Sequence, residues 1–250
     1  MKKELLDLTR QLRHRIELAG GDDILVSSQT KNPSKNPRQP NPLPNKEGKE
    51  SVAAQLKALK EEVSACRKCP LGKSRLNAVF GVGSETSPVV FVGEGPGFQE
   101  DHKGEPFVGR SGQLLDKILA AIGYSRQTVY IANIVKCHPM RDPSNPEAHG
   151  NDRPPSPEEV ASCLPYLEQQ IKLIAPKVIV TLGAVATRVL LQNTEPITKI
   201  RGQWQFFYPS FGDPVKLLPT FHPAALLRNP NLKKDAWEDM KKLRKELQGS

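Results

Sequence analysis

The stretch Val89-Val90-Phe91-Val92-Gly93-Glu94-Gly95-Pro96-Gly97 runs from four apolar residues directly into a glycine-rich turn. A short unbroken apolar run bounded by turn residues reads as a strand buried on both faces, the kind that parallel sheets use. Similar runs at 129–135, 178–182 and 216–220 supply three more strands. The segments between and around them have helical apolar spacing: 52–65, 113–122, 184–191 and 233–247. Ser156-Pro157-Glu158-Glu159 is a capping box with proline at the first helical position, so another helix starts there. Pro165 is expected to split that helix just past Cys163. Strands alternating with helices predict an α/β fold, a three-layer α/β/α sandwich around a mostly parallel sheet of about four strands. Such sheets bind ligands at the carboxyl ends of their strands. The glycine turn, Asn133 and Phe221-His222-Pro223 all fall at or near those ends.

The chain of 250 residues is 37% hydrophobic with 23 prolines, too apolar to be disordered throughout and too proline-rich to be folded throughout. Leu5, Leu8, Leu12 and Ile16 fall at helical spacing, so residues 1–26 read as an amphipathic helix able to dock a protein partner or fold back on the domain. Residues 27–50, with five prolines among Ser, Asn, Lys and Gln, read as a linker. The compact domain is expected over 51–250. No run approaches the roughly 18 apolar residues of a membrane span. The charged start, Met1-Lys2-Lys3-Glu4, is unlike a secretory leader. A cytoplasmic monomer is the expectation. Of the net charge of +9, residues 1–50 carry +3, so the domain itself is basic. That suits an anionic partner such as nucleic acid, although many soluble proteins are mildly basic.

Cys66 and Cys69 stand with two residues between them, followed by Cys137 and Cys163. A cytosolic setting argues against two disulfides. A Cys-x-x-Cys redox pair would sit at a strand-to-helix turn, whereas this one follows a helix. A four-thiolate metal site accounts for all four. Spacing accepts zinc or an iron–sulfur cluster, and the proline after Cys69 leans slightly towards the cluster.

The turn at 93–97 carries a carboxylate, Glu94, and matches neither the dinucleotide nor the phosphate-loop spacing. Phe107 follows thirteen residues later, and Ser111-Gly112 opens a helix whose free N–H groups suit a phosphate oxygen. Glu94, Phe107, Asn133 and the run His222-Pro223-Ala224-Ala225-Leu226-Leu227-Arg228 form an ordered set. Together with the four cysteines, this set resembles the uracil-DNA glycosylase superfamily, most closely its iron–sulfur branch, family 4, over about residues 60–245.

The resemblance implies a monofunctional hydrolase that cuts the N-glycosidic bond of deoxyuridine in single- and double-stranded DNA, leaving an abasic site. It implies a flipped base held in a pocket of Glu94, Gly95, Pro96, Phe107, Asn133 and His222. Phe107 would stack on the pyrimidine. Asn133 would donate to uracil O4 and accept from N3–H, a pattern that cytosine reverses. His222 would donate to O2 as charge gathers on the leaving base, and Glu94 would orient water or stabilise the cationic sugar. Glu94 and His222 are therefore the expected catalytic pair. Family 1 enzymes hold the water with an aspartate, and here the motif offers Glu94 instead.

Leu226, Leu227 and Arg228 would form a wedge in a loop that enters the base stack; alternation lets only one of the two leucines project, and Leu226 is expected to point at DNA. Ser111, Gly112, Arg67, Lys68 and Lys73 would meet phosphates. Cys66, Cys69, Cys137 and Cys163 would hold a structural 4Fe–4S cluster, with zinc as the alternative. Glu100, Asp101 and His102 are weaker site candidates, expected to be solvated. Residues 138–157 depart from the resemblance as an excursion longer than family 4 has. A covalently acting relative carries a basic loop ending in a reactive histidine in this region; His149 falls in the corresponding excursion, but the basic character is missing and a proline-rich surface loop is the better reading. Two rival readings follow: a uracil-DNA binder without turnover, reversible or covalent through His149, and a redox iron–sulfur protein.

Overall fold

A computed structural model of the chain describes residues 51–210 and 212–249, so the expected N-terminal helix and linker lie outside the described residues. The elements run α1 (Val52–Ala65), α2 (Leu71–Ser74), β1 (Val82–Gly83), β2 (Val89–Gly93), α3 (Phe98–Lys103), α4 (Arg110–Ala121) and β3 (Tyr130–Asn133). Then come α5 (Pro157–Ile174), β4 (Val178–Leu182), α6 (Ala184–Leu191), α7 (Ile197–Ile200), β5 (Gln205–Phe207), β6 (Val215–Thr220), α8 (Pro223–Arg228) and α9 (Lys233–Gln248). No helix among the described residues is long and apolar enough to cross a membrane.

The sheet order is β1-β3-β2-β4-β6-β5. The four expected strands form its parallel centre. β1 and β5 pair antiparallel at the two edges, so the sheet has six strands rather than about four. With two and three residues, these edge strands are too short for alternation to mark them. Successive side chains of a strand point to opposite faces, and β2 shows the consequence. Val90 and Val92 pack with α1, α5 and α6, while Val89 and Phe91 pack with α4 and α9. Helices therefore cover both faces, giving the three layers.

Two local expectations are corrected. Helix α5 runs 18 residues straight through Pro165. An internal proline costs about 3 kcal/mol, but Cys163, Tyr166, Leu167, Ile171 and Ile174 bury the helix on either side of it. The capping box also holds its start, with Ser156 Oγ accepting from Glu159 N–H and Glu159 accepting from Ser156 N–H. The segment after His222, read as a loop, is helix α8, with proline at its first position and His222 as its cap.

The chain leaves β2 for β3 on one side and later enters β4 on the other. Strand β2 is thus the point where the winding reverses, and the crevice above such a point is where doubly wound sheets bind ligands. The Glu94 turn begins there.

Candidate active site

Glu94, Gly95, Pro96, Phe107, Asn133 and His222 line one cavity of about 400 Å³, within the usual range for small-molecule pockets. Each arrives from a different element. Asn133 closes β3, in register with Gly93 at the end of β2. Gly93 lacks a side chain for a steric reason: a β-carbon there would overlap Asn133 Oδ1 and approach the Phe107 Cζ atom to 2.5 Å. The parallel pairing continues past the strands, with Ile134 N–H donating to Gly93 O and Val135 N–H to Glu94 O. This fixes the turn against the segment that carries Asn133.

Phe107 is buried and adopts a left-handed backbone, φ 54°, a conformation that costs a non-glycine residue about 1–3 kcal/mol. Three groups overdetermine it. Arg126 donates to the carbonyls of Phe107 and, at 2.9 Å, of Pro106. Glu100 accepts from Val108 and Gly109 N–H at 2.9 and 3.0 Å, and from Gly97 N–H at 3.2 Å. Gly112 lies buried against Phe107, where a β-carbon would collide with the Phe107 carbonyl. Gly112 thus packs against the Phe107 backbone, while Ser111 alone of that pair lines the cavity.

His222 is partly buried, its ring 5.5 Å from that of Phe107 and tilted by 33°. Its Nδ1 accepts from Ala224 N–H at 3.1 Å. Burial, then the nearby Arg228 charge, lowers its pKa to about 4. A neutral imidazole whose Nδ1 accepts carries its proton on Nε2. Glu94 is shifted the other way, since burial raises its carboxyl above the usual range. Asn133 Oδ1 is buried and has no hydrogen-bond partner.

Of the weaker candidates, Glu100 and Asp101 are structural rather than solvated, while His102 is exposed as expected. Glu100 braces the Phe107 loop as described. Asp101 is buried and accepts from Leu76 and Asn77 N–H at 3.1 Å. His102 meets Glu147 at 2.9 Å and stacks on Phe98, whose ring centroid also lies 4.2 Å from that of His149. The 138–157 excursion is therefore pinned onto α3, and His149 stands on the rim of the cavity.

Of the expected wedge, Leu226 is buried with Phe221 and Ala236 at 2% exposure, while Leu227 is 39% exposed. The outward residue is Leu227, a correction to the reading that favoured Leu226. Arg228 and Leu227 share a shallow depression with Arg110 and Ser111. Helix α4 starts there with no side-chain cap on its first N–H groups.

The four cysteines, none in a disulfide, line one small cavity with Arg75, Lys136 and Tyr166. Cys163 Sγ accepts from Lys136 N–H at 3.2 Å and Cys137 Sγ from Arg75 at 3.0 Å. Among the described residues, no three His, Cys, Asp or Glu are gathered as for a single ion. Of the expected phosphate contacts nearby, Arg67 donates to Cys66 O, Lys68 lies over the Tyr166 ring and pairs with Glu62, and Lys73 is exposed. Sequence reasoning missed Arg126 and Lys136, which belong to no motif and whose contacts with Phe107, Cys163 and Gln170 are distant in the chain.

A family model of the uracil DNA glycosylase superfamily matches residues 80–241. A type-4 uracil-DNA glycosylase of Sulfurisphaera tokodaii is 43% identical over 76% of this chain and 83% of its own length. Those of Archaeoglobus fulgidus and Thermotoga maritima are 42% and 41% identical, over 73% and 75% of this chain and 88% and 92% of theirs. The chain belongs to the uracil DNA glycosylase superfamily, as a type-4 uracil-DNA glycosylase.

Proposed function

We propose that the cavity takes a single flipped uracil from DNA and that Asn133 reads it, with His222 and Glu94 serving the hydrolysis. The observation that carries this reading is the orphaned Asn133 Oδ1. A buried acceptor without a partner costs about 1–3 kcal/mol, a cost that a ligand donor removes. Uracil N3–H is such a donor, whereas the corresponding cytosine nitrogen is an acceptor and would set its lone pair against that of the Asn133 oxygen.

The other groups fit the same substrate. The Phe107 ring offers a face for the pyrimidine. The Nε2–H of neutral His222 donates to O2, where negative charge grows as the glycosidic bond lengthens. A preorganised donor of this kind lowers the barrier by about 3–4 kcal/mol. Glu94, ionised, stabilises the cationic sugar or orients the water that attacks it. The first N–H groups of α4, with Ser111 and Arg110, are placed for a phosphate, and Leu227 for the space the base vacates.

The cysteine donor set fits an iron–sulfur cluster: four thiols share one cavity, and two of the sulfurs accept N–H donors as metal-bound thiolates do. Cys66, Cys69, Cys137 and Cys163 would hold it as a covalent staple, since N-glycosidic hydrolysis transfers no electrons. Four unpaired thiols suit the reducing cytoplasm.

Purified full chain incubated with uracil-containing oligonucleotide should release free uracil over many turnovers, and Asn133→Ala should lose about 10²-fold or more of the rate. Iron and zinc are quantified on the same sample. The rim position of His149 sustains a second reading, capture without turnover. A stoichiometric protein–DNA adduct with no released uracil, abolished by His149→Ala, would establish it and sink the first.

A further inference from the structure

Lys136 is 1% exposed, among the largest side chains buried in the protein. Its ammonium donates to the backbone carbonyl of Asn133 at 2.8 Å and to Gln170 Oε1 at 2.6 Å. Both acceptors are neutral. Gln170, itself fully buried on α5, is fixed in turn: its amide nitrogen donates to Phe80 O at 3.0 Å and to the Tyr130 hydroxyl at 2.9 Å. Among the described residues, no carboxylate stands beside the ammonium; the Cys137 and Cys163 sulfurs, in the cavity it lines, interact with its charge, and burying it remains costly. An unbranched apolar side chain such as methionine would fill the same space at no such cost. Packing alone therefore does not account for the residue.

Its placement does. Asn133 Oδ1 has no protein partner, so no neighbouring side chain holds the oxygen of the carboxamide. Its direction rests on the backbone from which it projects and on the packing of Gly93 and Phe107 beside it. The Asn133 carbonyl stands where β3 ends and the chain turns towards Cys137. Lys136 ties that carbonyl across to α5. The backbone of residue 136 is anchored at both ends as well, with its N–H on Cys163 Sγ and its carbonyl accepting from Val79 N–H at 2.8 Å.

We infer that Lys136 is a positioning residue for base recognition, acting from beneath the pocket by fixing the backbone of Asn133 through the Asn133–Lys136–Gln170 bridge. This rests on the reading of Asn133 as the group that reads the base. A displacement of about 1 Å at a reacting or recognising group can cost on the order of 10²-fold in rate, so a tether here has room to matter.

The test is a double-mutant cycle in the full chain, read as the single-turnover rate of uracil release from a single-stranded oligonucleotide. Lys136→Met should slow release about 10- to 100-fold alone but less than about threefold in an Asn133→Ala background, because residues acting as one unit are not additive. Iron and zinc per chain should match the parent, since the 136 N–H that meets Cys163 is kept. Additive losses, a parent-like rate in Lys136→Met, or loss of metal together with activity would each overturn the inference. If Lys136→Met does not fold, Gln170→Met removes the same bridge from its other end and is read in the same cycle. A parent-like rate in Asn133→Ala would instead sink the base-reading assignment itself, an outcome distinct from additivity.

Discussion

Gly93 and Asn133 face each other in register across β2 and β3, and the space a Gly93 side chain would need is the space that Asn133 Oδ1 occupies. A strand residue loses side-chain packing by being glycine. Here the missing atom lets a carboxamide and the Phe107 ring meet over the strand end. Gly93→Ala should therefore lower kcat/KM by about 10²-fold while costing roughly 1–3 kcal/mol of stability from overpacking. Steady-state kinetics and a urea titration check both. A variant with parent kinetics would show that the carboxamide is not held where substrate needs it.

His222 gives a pH prediction with a definite sign. Its pKa in the fold is about 4, against about 6.5 in an unfolded chain. Between those values the unfolded chain binds the extra proton, so stability falls as pH drops from about 6.5 to about 4. The full effect is on the order of 3 kcal/mol, reached at or below pH 4. His222→Gln should flatten that dependence, seen in thermal midpoints measured from pH 7 to pH 4.5. The parent's rate should show no loss near pH 6.5, because the neutral donor persists well below it. An acid limb should come from Glu94, whose burial sets it above the ordinary carboxylate range.

Local patterns explain why the centre of this fold was legible in the sequence. Val89–Val92 read as a doubly buried strand because all four residues are apolar, and all four have no exposure. The spacing at 52–65 gave the bounds of α1 because Leu56, Leu59 and Val63 form one buried stripe. What escaped was short or distant. Helix α8 has only six residues, below the length at which periodicity separates a helix from a loop, although proline at its first position was a usable signal. Alternation suggested that one of two leucines would project; helical phase, absent from that argument, turned Leu226 onto Phe221. The convergence of Phe107, Asn133 and His222 on one cavity needed the family register, since each residue taken alone reads as core, turn or loop.

Arg126 lies nineteen residues from the carbonyl it braces, and nothing local marks it. Its guanidinium reaches two successive carbonyls, Pro106 and Phe107, while its Nε meets Asp116 at 2.6 Å. A planar fork can do this and a single ammonium cannot. Arg126→Met should release the strained Phe107 backbone and lower kcat/KM by about tenfold or more, with Arg126→Lys recovering little of it. Full recovery by lysine would show that charge alone, rather than the fork, matters at this position.

Leu226 and Leu227 are neighbours with opposite surroundings, and the wedge assignment turns on that difference. Leu226 is closed in by Phe221 and Ala236, so Leu226→Ala should cost about 2–5 kcal/mol of stability and affect single- and double-stranded substrates alike. Leu227 stands exposed beside Arg228, Arg110 and Ser111, the place the proposed function gives to the opened duplex. Extruding a paired base costs a few kcal/mol that a single strand does not demand. Leu227→Ala should therefore lower kcat/KM about tenfold on duplex uracil and less than about twofold on single strands, with the thermal midpoint unchanged. Equal losses on the two substrates would mean that Leu227 contacts the strand without filling the gap, and would leave the vacated stack to Arg228.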